Sequence, residues 1–167
     1  MHWFAIASHE PAGAIARDDR MLTGHLFVYG TLMSRASDAM GSGERNRLRR
    51  EARSLGPATL GGRLFDLGQY PGLILSEAAE DVVQGEVFQL LQPAVTVAWL
   101  DRYEGIGWKG RDRDDYQRVT REVALANNAE LEVWTYVFQG SLRSARLIRS
   151  GCWRVRPWPL NSTPRYD

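Results

Sequence analysis

Between residues 51 and 91 the chain is cut into short stretches of strand character by closely spaced turn formers, which narrows the fold more than any other feature. Pro57, Gly61-Gly62, Gly68 and Pro71-Gly72 separate segments such as Arg63 to Leu67 and Leu73 to Ser76. From Asp81 to Leu91, Val83, Gly85, Val87 and Gln89 alternate against Val82, Gln84, Glu86, Phe88 and Leu90. Tyr116 to Ala126 and Glu130 to Phe138 alternate around Asn127-Asn128, the pattern of a hairpin. Two segments read as helix. Glu44 to Arg50 follows Ser42-Gly43 as a short helix with an acidic first turn, and Pro93 to Glu104 starts on proline and stops at Gly105. A further helical turn is predicted near Ser144 to Ile148, followed by irregular chain packed through Trp153 and Trp158. The expected class is α+β, with an antiparallel sheet or barrel.

A chain of 167 residues, 44% apolar and 25% charged, is long enough to bury a core and does not have the composition of a disordered protein. The expected organisation is a loose arm over residues 1–20, a single domain over 21–160 and a tail over 161–167. Trp3 to Ala7 is too short to span a membrane, and Glu10-Pro11 interrupts it as a secretory signal. Met21, just before the first predicted strand, is an alternative start. A net charge of +1 gives no global reason to expect nucleic acid, an anionic membrane or an acidic partner. The single cysteine, Cys152, fits a reducing compartment such as the cytoplasm, or no dependence on disulfides. His2, His9 and His25 form no ligand spacing, so no metal is expected.

Three local features ask for an explanation. Leu26-Phe27-Val28-Tyr29 is a short buried strand stopped by Gly30, with Thr31 and Leu32 leading away. A glycine there allows backbone N–H groups to approach a ligand, so the corner is a candidate substrate cradle. Glu104 follows the apolar positions Val97 and Leu100 at the C-terminal end of its helix, where the macrodipole disfavours a negative charge. It is either a carboxylate with a raised pKa or an exposed glutamate at a frayed end. Arg45, Arg47, Arg49 and Arg50 are the densest run of like charge, a phosphate or nucleic-acid patch or a solvated helix face. No aromatic residues interleave them, which favours the solvated face. Glu86 lies in an apolar segment and either faces solvent, as strand glutamates usually do, or is buried with a partner.

Tyr29-Gly30-Thr31-Leu32, Tyr70-Pro71-Gly72, Val83-Gln84-Gly85-Glu86-Val87-Phe88, Leu100-Asp101-Arg102-Tyr103-Glu104-Gly105 and Tyr116-Gln117-Arg118 occur in an order that resembles the gamma-glutamylcyclotransferase-like proteins. Within them it is similar to the gamma-glutamylamine cyclotransferase branch and its plant avirulence-induced relatives. The resemblance runs from about Leu26 to Phe138. It implies a small mixed, mostly antiparallel β-barrel flanked by short helices. It also implies a cofactor-independent enzyme on which the α-amine of a small γ-glutamyl compound attacks its own γ-carbonyl, releasing 5-oxoproline and an amine or amino acid. By the same resemblance Glu104 matches the catalytic glutamate, and Tyr29, Gly30, Thr31 and Leu32 match the substrate-binding loop.

The residue types suit that chemistry. The α-amine must lose a proton before it attacks and the leaving nitrogen must gain one, so a single carboxyl group with a pKa near the working pH can serve both steps. Backbone N–H groups of the Gly30 to Leu32 turn suit an α-carboxylate or a polarised γ-carbonyl. Tyr116 either bonds the substrate, orients Glu104 or packs in the core. The segment between Glu104 and Tyr116 departs from the family pattern by being longer and more charged, which leaves the leaving group open. Its Arg111 and Arg113 either reach a substrate carboxylate or pair with Asp112, Asp114 and Asp115. A hydrolase or transferase of another amide-like molecule, or a non-catalytic ligand-binding domain, is compatible with the same scaffold.

Overall fold

The structure, a computed structural model, describes residues 23–107 and 114–154. The predicted arm over 1–20, the tail over 161–167, Arg111 to Arg113 and Trp158 lie outside them. The described chain runs β1 (His25–Val28), α1 (Ser42–Glu51), β2 (Ala52–Asp66), β3 (Pro71–Leu75), β4 (Val82–Leu90), α2 (Pro93–Tyr103), β5 (Tyr116–Leu125), β6 (Glu130–Phe138) and β7 (Arg146–Ile148).

Five strands close into a barrel in the order β2-β4-β1-β6-β5, with β5 returning to β2 through Ala58↔Leu125 and Thr59↔Ala124. Every pairing is antiparallel except that of β1 with β6, where Leu26 lies opposite Trp134. The architecture is therefore the mixed, mostly antiparallel barrel with short helices that the sequence implied. Closure also removes the sheet edges that would otherwise invite pairing with another chain.

β2 differs from its sequence reading. Pro57 and Gly61-Gly62 were expected to separate strands, yet one strand of 15 residues runs through them. Pro57 faces Glu86 of β4 and precedes the stretch that pairs with β5, so its missing N–H costs no bond on that side. The glycines mark a change of partners. Gly61 is the last residue paired to β4, and Gly62 the first paired to β3. A Cβ on Gly62 would stand 2.7 Å from Leu73 Cδ1 and 2.8 Å from the carbonyl oxygen of Ile74. Beyond this point β2 leaves the barrel and holds β3 on one side and β7 on the other. β7 occupies part of the predicted helical turn at 144–148, because Leu64 to Asp66 offers it an unpaired strand edge.

The core is one cluster that includes Leu26, Phe27, Val83, Val87, Val123 and Val133 of the barrel strands and continues through Leu64 and Leu73. α2 lays Val97, Trp99 and Leu100 against it, and Trp153 joins it with no exposed surface. α1 begins after Gly41, so Ser42 lies inside the helix rather than capping it. The inward face of α1 carries Leu48 and, one turn earlier, Arg45.

Candidate functional site

β1 ends at Val28, and the chain turns at once, with the Met33 N–H donating to the Gly30 carbonyl at 3.0 Å. This turn, the end of α2 and the start of β5 enclose a cavity of about 310 Å³. That volume is at the small end of ligand pockets. All six residues singled out in the sequence line it: Tyr29, Gly30, Thr31, Leu32, Glu104 and Tyr116. Tyr70, Pro71, Tyr103 and Tyr136 complete much of its wall, and Asp115 and Arg102 also border it.

Glu104 is the residue after α2, its N–H bonded back to the Leu100 carbonyl at 2.8 Å. It is half-buried, and its carboxyl oxygens take no hydrogen bond and no ion pair from any described residue. Burial pushes its pKa up to about 8, and the nearby negative charge of Asp101 adds to the rise. The sequence reading invoked the helix end; the larger cause is desolvation in an aromatic pocket. At neutral pH such a group is mostly a neutral acid that can still give up its proton.

Asp101 sits one helical turn before Glu104 and is firmly held. Arg118 Nη1 donates to it at 2.6 Å and the Tyr136 hydroxyl at 2.8 Å. Arg118 in turn lies 4.8 Å from the centre of the Trp134 ring. Asp101 therefore cannot swing toward Glu104 to share its proton, and acts on it only through space.

Two of the cavity's tyrosine hydroxyls are held by backbone carbonyls. Tyr29 donates to the Tyr136 carbonyl at 2.7 Å and Tyr116 to the Pro71 carbonyl at 2.8 Å. Both are buried, and burial raises both phenols far above their ordinary pKa, with Glu104 contributing to each. They are walls and struts at neutral pH, not proton donors to Glu104. Of the three sequence readings of Tyr116 the structure shows core packing, against Phe138 with ring centres 5.4 Å apart, at the border of the cavity.

Gly30 serves a purpose the sequence did not show. A Cβ there would stand 2.7 Å from Cγ of Pro71, so the glycine also makes room for a proline ring. The corner, Pro71 and the Tyr116 hydroxyl are therefore one packed unit.

Two residues behind the corner are buried. Glu86, left between facing solvent and burial with a partner with the former favoured, takes the latter. It is 1% exposed and accepts from the Ser34 N–H at 2.7 Å and the Ser54 hydroxyl at 2.6 Å, which ties the loop after Leu32 to β4 and β2. Arg45, read as part of a solvated face, is 7% exposed and donates to the Thr31 carbonyl at 2.5 Å and the Asp38 carbonyl at 2.9 Å. Neither was legible, because each depends on partners distant in sequence. Among the described residues no three His, Cys, Asp or Glu side chains gather as ligands for a metal ion, and no helix is long and apolar enough to cross a membrane.

A family model described as gamma-glutamyl cyclotransferase, AIG2-like matches residues 26–155. Several solved structures share the fold. YkqA from Bacillus subtilis is 22% identical with a TM-score of 0.54, covering 77% of this chain and 39% of its own. The present chain thus spans well under half of that protein. An AIG2-like protein from Mus musculus is 19% identical with a TM-score of 0.55, covering 72% of this chain and 80% of its own. Protein ytfP from Escherichia coli is 26% identical with a TM-score of 0.52, covering 78% of this chain and 96% of its own. The first two of these are likenesses of fold. No curated protein matches the sequence.

Proposed function

The chain belongs to the gamma-glutamyl cyclotransferase, AIG2-like family, and on that premise we propose that it cyclises a small γ-glutamyl compound, releasing 5-oxoproline and an amine or amino acid. The observation that carries this reading is the carboxyl of Glu104: raised to about 8, unpartnered among the described residues, and bordering the same cavity as the Tyr29 to Leu32 corner. A structural carboxylate would have donors around it, whereas a proton carrier needs its oxygens free for substrate.

In the proposed reaction the substrate enters with its α-amine protonated. Glu104, in its carboxylate form, takes one proton from that ammonium. The freed amine attacks the γ-carbonyl carbon, a C–N bond forms, and the carbonyl π electrons move to oxygen. The tetrahedral intermediate collapses as the bond to the leaving nitrogen breaks. Glu104 returns its proton to that nitrogen, and the released amine takes the second proton from the ring nitrogen, leaving as an ammonium and completing the lactam. The Thr31 and Leu32 N–H groups, which have no acceptor among the described residues, hold the α-carboxylate. Holding the flexible glutamyl chain folded is worth up to about 7–11 kcal/mol in favourable intramolecular systems.

The test is a mass-spectrometric screen for 5-oxoproline. The purified chain is offered γ-glutamyl amines, γ-glutamyl amino acids and glutathione. Release from at least one of them is expected, and a folded chain silent on the whole panel contradicts the proposal.

A further inference from the structure

Arg45 presents a physical problem that the reaction above leaves unsolved. It is buried in the face of α1 turned to the barrel, yet its donors go to two neutral carbonyls, Thr31 and Asp38. It pairs with no carboxylate among the described residues, since the Asp38 carboxylate is engaged by Arg154. A cation taken out of water without a counter-ion is costly, and such groups are normally paired. Arg49, on the same helix, donates to the Ser34 carbonyl and adds a second positive charge nearby, and the adjacent Glu44 forms no ion pair with Arg45.

The carbonyl that Arg45 holds is informative. Thr31 C=O and Leu32 N–H belong to one peptide unit. A guanidinium bonded to the oxygen draws electrons through the amide and makes the N–H a stronger donor. Both residues border the cavity, and the Leu32 N–H has no acceptor among the described residues. The loop that carries this peptide is fixed beyond it as well, by Glu86 on the Ser34 N–H. A cationic donor, a polarised peptide and a rigid loop are the parts of an anion subsite.

We propose that Arg45 is the positioning residue of this subsite: from behind the loop it polarises the Thr31–Leu32 peptide and lends it positive charge, so that a ligand carboxylate bound at the cavity side is the counter-ion Arg45 lacks. Arg45 touches no substrate atom and acts through the backbone. The proposal rests on the cyclotransferase reading for the identity of the ligand, the α-carboxylate of a γ-glutamyl group.

Two small probes separate this role from mere structural support. 5-Oxoproline carries the carboxylate, and 2-pyrrolidinone is the same ring without it. Binding of each to the parent chain and to Arg45→Gln is followed by isothermal titration, with far-UV circular dichroism as the check on folding. The parent should prefer 5-oxoproline, and Arg45→Gln should lose that preference on the order of tenfold, as befits a charge-assisted hydrogen bond, with little change for 2-pyrrolidinone. Should Arg45→Gln fail to fold, Arg45→Met is uncharged and apolar and reads the same ratio. A folded neutral variant that keeps the parent's preference overturns the proposal, as does a parent chain with no preference. Failure of the cyclotransferase reading would look different: no 5-oxoproline release from any γ-glutamyl compound, with the carboxylate preference intact in the parent and lost in the variant.

Discussion

Glu86, on a barrel strand, and Glu104, at the end of α2, are two carboxylates surrounded in opposite ways. Glu86 is almost fully buried and holds a backbone N–H and a serine hydroxyl, one on each oxygen. Glu104 borders a cavity and holds nothing among the described residues. The first is satisfied and serves as a strut under the Tyr29 to Leu32 loop. The second is desolvated without compensation, which raises its pKa to about 8 and makes its proton available near neutral pH. Depth of burial does not separate the proposed proton carrier from the structural carboxylate; the hydrogen bonds do.

That contrast breaks first at Glu104. Replacing it with Gln removes the titrating oxygen at nearly constant volume and should cut 5-oxoproline release by about 10²–10⁴-fold, the usual weight of a general acid–base group. Turnover assays on a variant with an unchanged far-UV spectrum check this. At Glu86 the expected loss is of stability instead. Glu86→Ala leaves the Ser34 N–H and the Ser54 hydroxyl without their acceptor, at about 1–3 kcal/mol for each buried group. With about 2–4 °C of Tm per kcal/mol for a chain of this size, calorimetry should show a clear drop. A Glu86→Ala variant as stable as the parent would erase the distinction.

A smaller effect is expected at Gly30→Ala. The new methyl meets the Pro71 ring and must displace it, at about 1–3 kcal/mol for an overpacked site. Because the Tyr116 hydroxyl hangs on the Pro71 carbonyl, substrate KM should rise along with the loss of Tm. The mildest effect is electrostatic. Asp101→Asn removes a negative charge near Glu104, so the acid limb of the kcat/KM profile should move to lower pH, by less than the shift that burial alone produces.

Stability against pH offers a test free of any substrate. In the unfolded chain Glu104 loses its proton near 4.5, and in the folded chain only near 8. Its contribution to stability is therefore whole below about 4.5 and is lost as pH rises toward 8. Glu104→Gln never makes that loss. Its Tm should match the parent in acid and exceed it above pH 8, and a constant offset at all pH values would point to a packing effect.

Much of this site could be read from local sequence. Glu104 stood out because an acid at a helix C-terminus conflicts with its own neighbours, and the conflict needs no knowledge of the rest of the fold. The strand ending at Gly30 and the hairpin at Asn127-Asn128 are likewise local signals. β2 was not legible, because Gly61-Gly62 punctuates partners rather than the strand itself, and partner exchange is a long-range property. Arg45 was misread, and Glu86 left undecided, for the same reason: their partners arrive from a loop and from other strands. Local rules assign charged side chains to water, and the exceptions here support the cavity from behind.

The difference between the two carboxylates can be measured directly. In protein labelled with ¹³C at the glutamate side-chain carboxyls, the Glu104 resonance is assigned by its absence from Glu104→Gln and followed from pH 3 to pH 10. A midpoint near 8 is expected. A midpoint in the ordinary range, near 4.5, would mean that Glu104 is an unremarkable surface carboxylate and would contradict its place as the proton carrier of this site.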